Sequence, residues 1–239
     1  MSSPDTVAEA HGHSHADVSG GWLRPAVFGA MDGLVTNTAL VAGVGGGGAS
    51  SRAIVLAGLA SLVAGALSMA LGEYTSVRSQ NEQLDLEVAK ERRELARNPA
   101  GELAELVAAL RTRGVDRDLA QQVAEQLSRE PEAALRLHVL AEMGMSADAP
   151  PSPLLAAGTS LATFALGAVV PLLPYLLGAS LLWAALLAGG AGLAGAGALG
   201  ARFTRQRWWL AAGRQLLFGA AAAGLTYLLG LAIGGAAGG

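Results

Sequence analysis

From Ala149 to Ala201 the chain reads APPSPLLAAGTSLATFALGAVVPLLPYLLGASLLWAALLAGGAGLAGAGALGA, 53 consecutive residues without an Asp, Glu, Lys, Arg or His. A membrane-crossing helix needs about 20 mostly apolar residues, so this stretch is too long for one span and about right for two. Pro171 and Pro174 offer the break between them, because proline removes a backbone donor and clashes with the turn before it. Working outward, the 27 residues between Arg24 and Arg52 carry one charge, Asp32, and the 20 between Arg52 and Glu73 carry none. The 25 residues from Gln215 to Gly239 are also uncharged. The sequence therefore predicts five spans, near 26–47, 53–76, 154–173, 176–200 and 213–236. The expected fold is an all-α integral membrane protein of five transmembrane helices, with a cytoplasmic helical insert between spans two and three.

Composition excludes several classes. Only 15% of the 239 residues are charged, against roughly a quarter in soluble domains. With no cysteine, a disulfide scaffold, a thiolate metal site and a cysteine nucleophile are ruled out. A net charge of −3 without a long basic run argues against a nucleic-acid partner. Placing the N-terminus inside puts fifteen of the sixteen Lys and Arg on the cytoplasmic side, with Arg52 alone outside, as the positive-inside rule demands. About 24 polar residues precede the first apolar stretch, so a cleavable signal peptide is not expected.

Four segments follow: 1–21, a His-containing tail expected to be disordered; 22–76, spans one and two; 77–150, the insert; and 151–239, spans three to five. The insert concentrates fourteen Asp and Glu against ten Lys and Arg. From Ser76 to Arg97 there is no Gly or Pro, so span two is expected to continue as one helix beyond the membrane. Asn98-Pro99 stops it, Asn98 as a cap and Pro99 at the first position of the next helix. Leu103, Leu106, Val107 and Leu110 give that helix an apolar face and Gly114 ends it; Leu119, Val123 and Leu127 mark a third helix, and Ala133 to Met143 a fourth.

Asp32 is the one ionisable residue well inside a span. A lone carboxylate there costs several kcal/mol unless paired or hydrated, so a functional role is the default; the plainer account is that span one starts later and Asp32 sits at the interface. Gly58, Gly65 and Gly72 repeat every seven residues in span two, a small-residue stripe suited to tight helix contact. Met69 shares that stripe. It fills a gap between helices on the plain account, or supplies a soft ligand that favours a transition metal. Glu73, at the end of the span, guards an entrance or is a solvated helix-end charge. In the insert, Glu87, Glu91 and Glu94 stack at i, i+4 and i+7, and such like charges repel by a few tenths of a kcal/mol. Lys90 and Arg97 relieve that repulsion, and Glu102 and Glu105 favour a helix N-terminus, so pattern alone favours a solvated face. His138 and Glu142, at i and i+4, could add an imidazole and a carboxylate. His11, His13 and His15 form a His-x-His-x-His tail that could bind metal or be inert.

Taken in order, these residues resemble the vacuolar iron transporter family. Met31-Asp32-Gly33-Leu34-Val35-Thr36 with Ala39-Leu40-Val41-Ala42-Gly43 is similar to the family's first-span signature. Ala64-Gly65-Ala66-Leu67-Ser68-Met69 with Gly72-Glu73-Tyr74 is similar to its second span, and Pro171-Leu172-Leu173-Pro174-Tyr175 to its third. The likeness covers about 22–238. It implies a five-span homodimer, not an enzyme, that moves Fe²⁺, often Mn²⁺ too, out of the cytosol in exchange for protons. No permanently bound cofactor is implied, and Zn²⁺ and Co²⁺ are further candidate ions. The resemblance also implies that Asp32 and Met69 line the translocation path, and that Glu91, Glu94, Glu102, Glu105 and Glu142 fall on the family's cytoplasmic metal-binding glutamates. Gly21 and Ser61 stand where some members carry further path glutamates, and His138 and Val139 replace a methionine pair; both changes bear on metal preference. The expected location is a membrane crossed several times, the inner membrane in a bacterium. The competing expectation is a membrane-anchored metal sensor or storage partner that transports nothing.

Overall fold

The computed structural model describes residues 21–143, 150–204 and 206–237. Nine α-helices are found among them: α1 (Leu23–Gly46), α2 (Ser51–Arg97), α3 (Pro99–Thr112), α4 (Arg117–Leu127), α5 (Pro131–Met143), α6 (Pro153–Val169), α7 (Leu173–Leu176), α8 (Leu182–Thr204) and α9 (Trp208–Ala237). Five stretches are long and apolar enough to cross a membrane: Leu23–Gly46, the apolar part of Ser51–Arg97, Pro153–Leu176, Leu182–Arg202 and Trp208–Gly235. Among the described residues there is no strand.

Packing between the spans depends on glycine. On α1, Gly29 and Gly33 press against α6, where a Cβ on Gly29 would meet the Ser160 carbonyl at 2.7 Å and one on Gly33 the Ala168 amide at 2.9 Å. Gly167 of α6 returns the contact, lying against the Ala30 carbonyl. Farther along α1, Gly43 and Gly47 face Gly230 and Gly234 of α9; a Cβ on Gly234 would stand 2.6 Å from the Gly47 carbonyl oxygen. These are small-xxx-small pairs, which let helix backbones approach closely where no hydrophobic force acts between helices. Both contacts run with ascending numbers on each partner, so α1, α6 and α9 are parallel, and α2 and α8 return between them. Asn37 is fully buried, and its Nδ2 donates to the carbonyls of Gly58 at 3.1 Å and Ala168 at 2.8 Å, tying three spans together.

The stripe on α2 is only partly used. Gly58 lies against Leu172 and Gly65 against the Phe164 ring, but Gly72 meets nothing within 4 Å, so the sequence expectation of one continuous contact stripe is corrected there. The break between spans three and four also falls later than the prolines suggested. A 3-10 turn at Val170–Leu172 absorbs Pro171, and Pro174 sits in the first turn of α7, where its missing donor is not needed. The chain turns at Gly178, whose φ is +92°, so α8 starts at Leu182 rather than near residue 176.

Beyond the membrane, α2 runs on without interruption to Arg97, 47 residues in all or about 70 Å of helix. The Asn98 side chain accepts from the Gly101 amide at 3.1 Å with Pro99 at the helix start, as the sequence implied. On α4 the buried face is Ala120 and Ala124, while Leu119 is 54% exposed; the helix is where leucine spacing put it, but its inward stripe is alanine. Leu84, Leu135 and Val139 form a core that joins α2 to α5, flanked by Val88 and Leu95. At the base of this region, Asn81 Nδ2 donates to the Pro151 carbonyl at 3.0 Å.

Candidate metal centres

Within the α2–α3–α5 region, three acid–base side chains converge inside the protein. Glu91, Glu102 and His138 are 5%, 6% and 3% exposed, and each offers a ligand atom within 4.8 Å of the others. His138 Nδ1 lies 3.0 Å from Glu91 Oε1 and 3.5 Å from Glu102 Oε2. Its Nε2 is buried without a hydrogen-bond partner among the described residues. Ligand atoms that share one small divalent ion at about 2.1 Å stand about 3.0–3.5 Å apart, which matches these separations. Two carboxylates closed off from water call for a cation between them, and an oxygen- and nitrogen-only donor set suits Fe²⁺, Mn²⁺ or Zn²⁺.

Local sequence explains why these three point inward. Leu84, Val88, Glu91 and Leu95 follow a 4-3-4 spacing, so Glu91 occupies one position of the apolar stripe that packs on α5. Glu102, in the first turn of α3, precedes buried Leu106 by one turn. Of the pair at 138 and 139, Val139 enters the core and is fully buried while His138 turns to the carboxylates. An Arg92–Glu132 ion pair at 3.2 Å links α2 to the first turn of α5; both groups are exposed, so it contributes little.

Glu94 and Glu105 are not among the clustered donors. Glu94 is half-buried on α2 and Glu105 is exposed on α3. Glu87 pairs with Lys90 at 3.9 Å. Glu142 belongs to α5, but its side chain falls outside the described residues, as do His11, His13 and His15.

Asp32 is different. It lies about 14 Å along α1 from Leu23 and is exposed on the outer face of the bundle, where Thr36 Oγ1 donates to its Oδ1 at 3.2 Å. Thr36 also lines a cleft of about 810 Å³ between α1 and α9, which runs past Ala39 and Gly43 to Gly47 and Gly234 at the far end of the span. Thr226 faces the same cleft, its hydroxyl donating to the Ala39 carbonyl at 2.6 Å. Sequence reading gave these two threonines no role; for Thr36 the available signal is a hydroxyl at i+4 from an intramembrane acid, and Thr226 carries none. Met69 is half-buried against the Ala66–Phe164–Ala168 cluster, and Glu73 is half-buried one turn on. Gly21 adopts φ +70° against Pro151, a conformation L side chains rarely take. Ser61 is half-buried on α2.

The chain is similar to known proteins along most of its length. The family model described as VIT family matches residues 23–231. A vacuolar iron transporter 1 of Oryza sativa subsp. japonica is 31% identical over 233 residues, 95% of this chain and 92% of that protein. A vacuolar iron transporter 1 of Arabidopsis thaliana is 33% identical over 172 residues, 72% and 68% of the two chains. A vacuolar iron transporter of Acanthamoeba castellanii is 41% identical over 164 residues, 68% of this chain; the match spans 59% of that protein's length.

Proposed function

We propose that this chain, which belongs to the VIT family, transports divalent iron, and manganese with it, out of the cytosol by exchange for protons. The observation that carries the reading is Asp32, a carboxylate set well inside a membrane-spanning helix and hydrogen-bonded to Thr36, which lines a cleft that continues across the span. A lipid-facing carboxylate is costly, so the exposed Asp32–Thr36 face calls for a cover. A second copy of the chain is the cover we assign, making the working unit a homodimer in which Asp32 and Met69 border the path and Glu73 stands at its entrance. In a poorly hydrated site a carboxylate holds a cation, and metal and proton compete for it. A proton gradient directed inward then drives metal outward, while the Met69 thioether biases the site toward transition metals.

The Glu91–Glu102–His138 cluster fits a collecting or gating site on the cytoplasmic side. Its donors do not favour iron over zinc, since affinity for such ligands rises along the divalent series toward zinc. A metal sensor or store would use this cluster equally well, but it would have no use for Asp32. Flux in proteoliposomes separates the two readings: Fe²⁺ and Mn²⁺ should enter with a coupled change in lumenal pH. Metal binding without any flux would overturn the transport reading and leave the sensor.

A further inference from the structure

The chain from Ala149 to Gly239 contains four arginines and no Asp or Glu. Two of them, Arg207 and Arg214, stand where α9 begins, on the side of the bundle that bears α3–α5, and Arg24 stands there at the start of α1. None of the three has a carboxylate partner among the described residues. Arg24 instead lies over the Phe28 ring at 5.6 Å and Arg207 over the Trp209 ring at 5.5 Å. Trp208 and Trp209, 61% and 51% exposed, meet edge to face with centroids 5.9 Å apart. Exposed indoles at the end of a span mark the level of the lipid headgroups.

Between α1, α8 and α9, at this same level, a cleft of about 410 Å³ has two unlike ends. Phe28, Met31 and Phe218 form an apolar wall, and Gln206, Arg214 and Gln215 a polar end. Gln215 Nε2 is turned to the Met31 sulfur at 3.1 Å, leaving Arg214 as the charged group of the cleft. A second cleft, of about 470 Å³, adjoins it around the α8–α9 turn; Gln206 lines both, with Arg202 and Trp208 on the far side.

We propose that this pair of clefts binds an anionic glycerophospholipid, with its phosphate on Arg214 and an acyl chain along Phe28 and Phe218. The charge selects the ligand: guanidinium groups without carboxylates take a phosphodiester, and a zwitterionic headgroup would bring a cation into a site that already has too many. The apolar wall selects a lipid over free phosphate, and basic pockets between transmembrane helices have this chemistry generally. The site is independent of the metal cargo and rests only on the helices spanning a membrane.

The test is native mass spectrometry of the full chain in neutral maltoside detergent, titrated with dioleoyl phosphatidylglycerol, with dioleoyl phosphatidylcholine, or with inorganic phosphate. Phosphatidylglycerol should bind tighter than phosphatidylcholine, and millimolar phosphate should not displace it. Arg214→Gln should weaken phosphatidylglycerol binding about fivefold and Arg24→Gln/Arg214→Gln about 25-fold, one surface charge at a time. Arg214→Lys should stay within about twofold of the wild type, showing that charge rather than folding was lost, because a lysine still holds phosphate as a point charge. Arg129→Gln, an equal change of charge on the exposed surface of the α4–α5 turn, should leave binding unaltered. Equal binding of the two lipids, displacement by phosphate, or wild-type binding by the double variant would each overturn the proposal.

Discussion

Glu91 and Asp32 are both carboxylates carried on long helices, yet folding treats them in opposite ways. Glu91 is drawn between α2, α3 and α5 and meets Glu102 and His138 out of water. Asp32 remains on the outside of its bundle with one hydroxyl donor, Thr36. Three helices of a single chain complete the first arrangement, so its donors are in place before an ion arrives. On the transport reading proposed above, the second is half a site that a neighbouring copy would complete. Ligand binding at Glu91 should therefore depend on the fold of one chain, and function at Asp32 on assembly as well.

Asp32→Asn offers the largest way to break this contrast. On the proposed path, removing the Asp32 charge should cost about 3 kcal/mol, or about 100-fold in metal flux, while calorimetry on the same variant should find insert binding unchanged. Loss of both together would show that the two carboxylates belong to one site. Next in size, Glu91→Gln or His138→Ala in the full chain should weaken Fe²⁺ or Zn²⁺ binding by about 10–100-fold. Glu105→Gln, on the exposed face of α3, should stay within about twofold. A large effect at Glu105 would mean that the insert rearranges around its ion.

Smaller effects sharpen the same comparison through the scaffold. Gly33→Ala pushes a methyl group into the α6 backbone at Phe164 and Ala168 and should destabilise the bundle by about 1–3 kcal/mol. Asn37→Leu removes two interhelical hydrogen bonds and should cost about 1 kcal/mol, since such bonds contribute modestly in membranes. Gly72→Ala, at a position with open space around it, should shift thermal unfolding by no more than about 0.5 kcal/mol equivalent. A clear destabilisation there would reveal a partner packed on that face of α2.

Charge gaps and one pair of prolines located the first three spans to within about three residues, because a lipid-spanning helix cannot hide its composition, whereas the fourth starts six residues later and the fifth five residues earlier than expected. Asn98-Pro99 was equally legible, since a cap and a helix-starting proline act locally. The α6–α8 break was read less well. Proline predicts where a helix loses a donor, but a 3-10 turn tolerated Pro171 and the chain reversed only at Gly178. In the insert, the i, i+4, i+7 stripe of Glu87, Glu91 and Glu94 was visible, but not which member faces inward. That depends on Leu84, Val88 and Leu95, whose spacing places Glu91 on the side that packs against α5. The exposure of Asp32 had no sequence signal, because a carboxylate facing a path and one facing a partner carry the same neighbours in the chain.

The unbroken length of α2 has a mechanical consequence. Glu73, near the end of its apolar part, and Glu91 ride on one helix, 18 residues apart, with no glycine or proline between them to absorb a bend. The segment between them is a stiff lever of about 27 Å, so a tilt of ~5° at the bundle would swing Glu91 sideways by about 2 Å. That displacement is as large as a metal–oxygen bond, while Glu102 and His138 are carried on other helices. If α3 and α5 kept their places, rocking of the second span would open or close the space among the three donors, at a distance and without a separate signalling part.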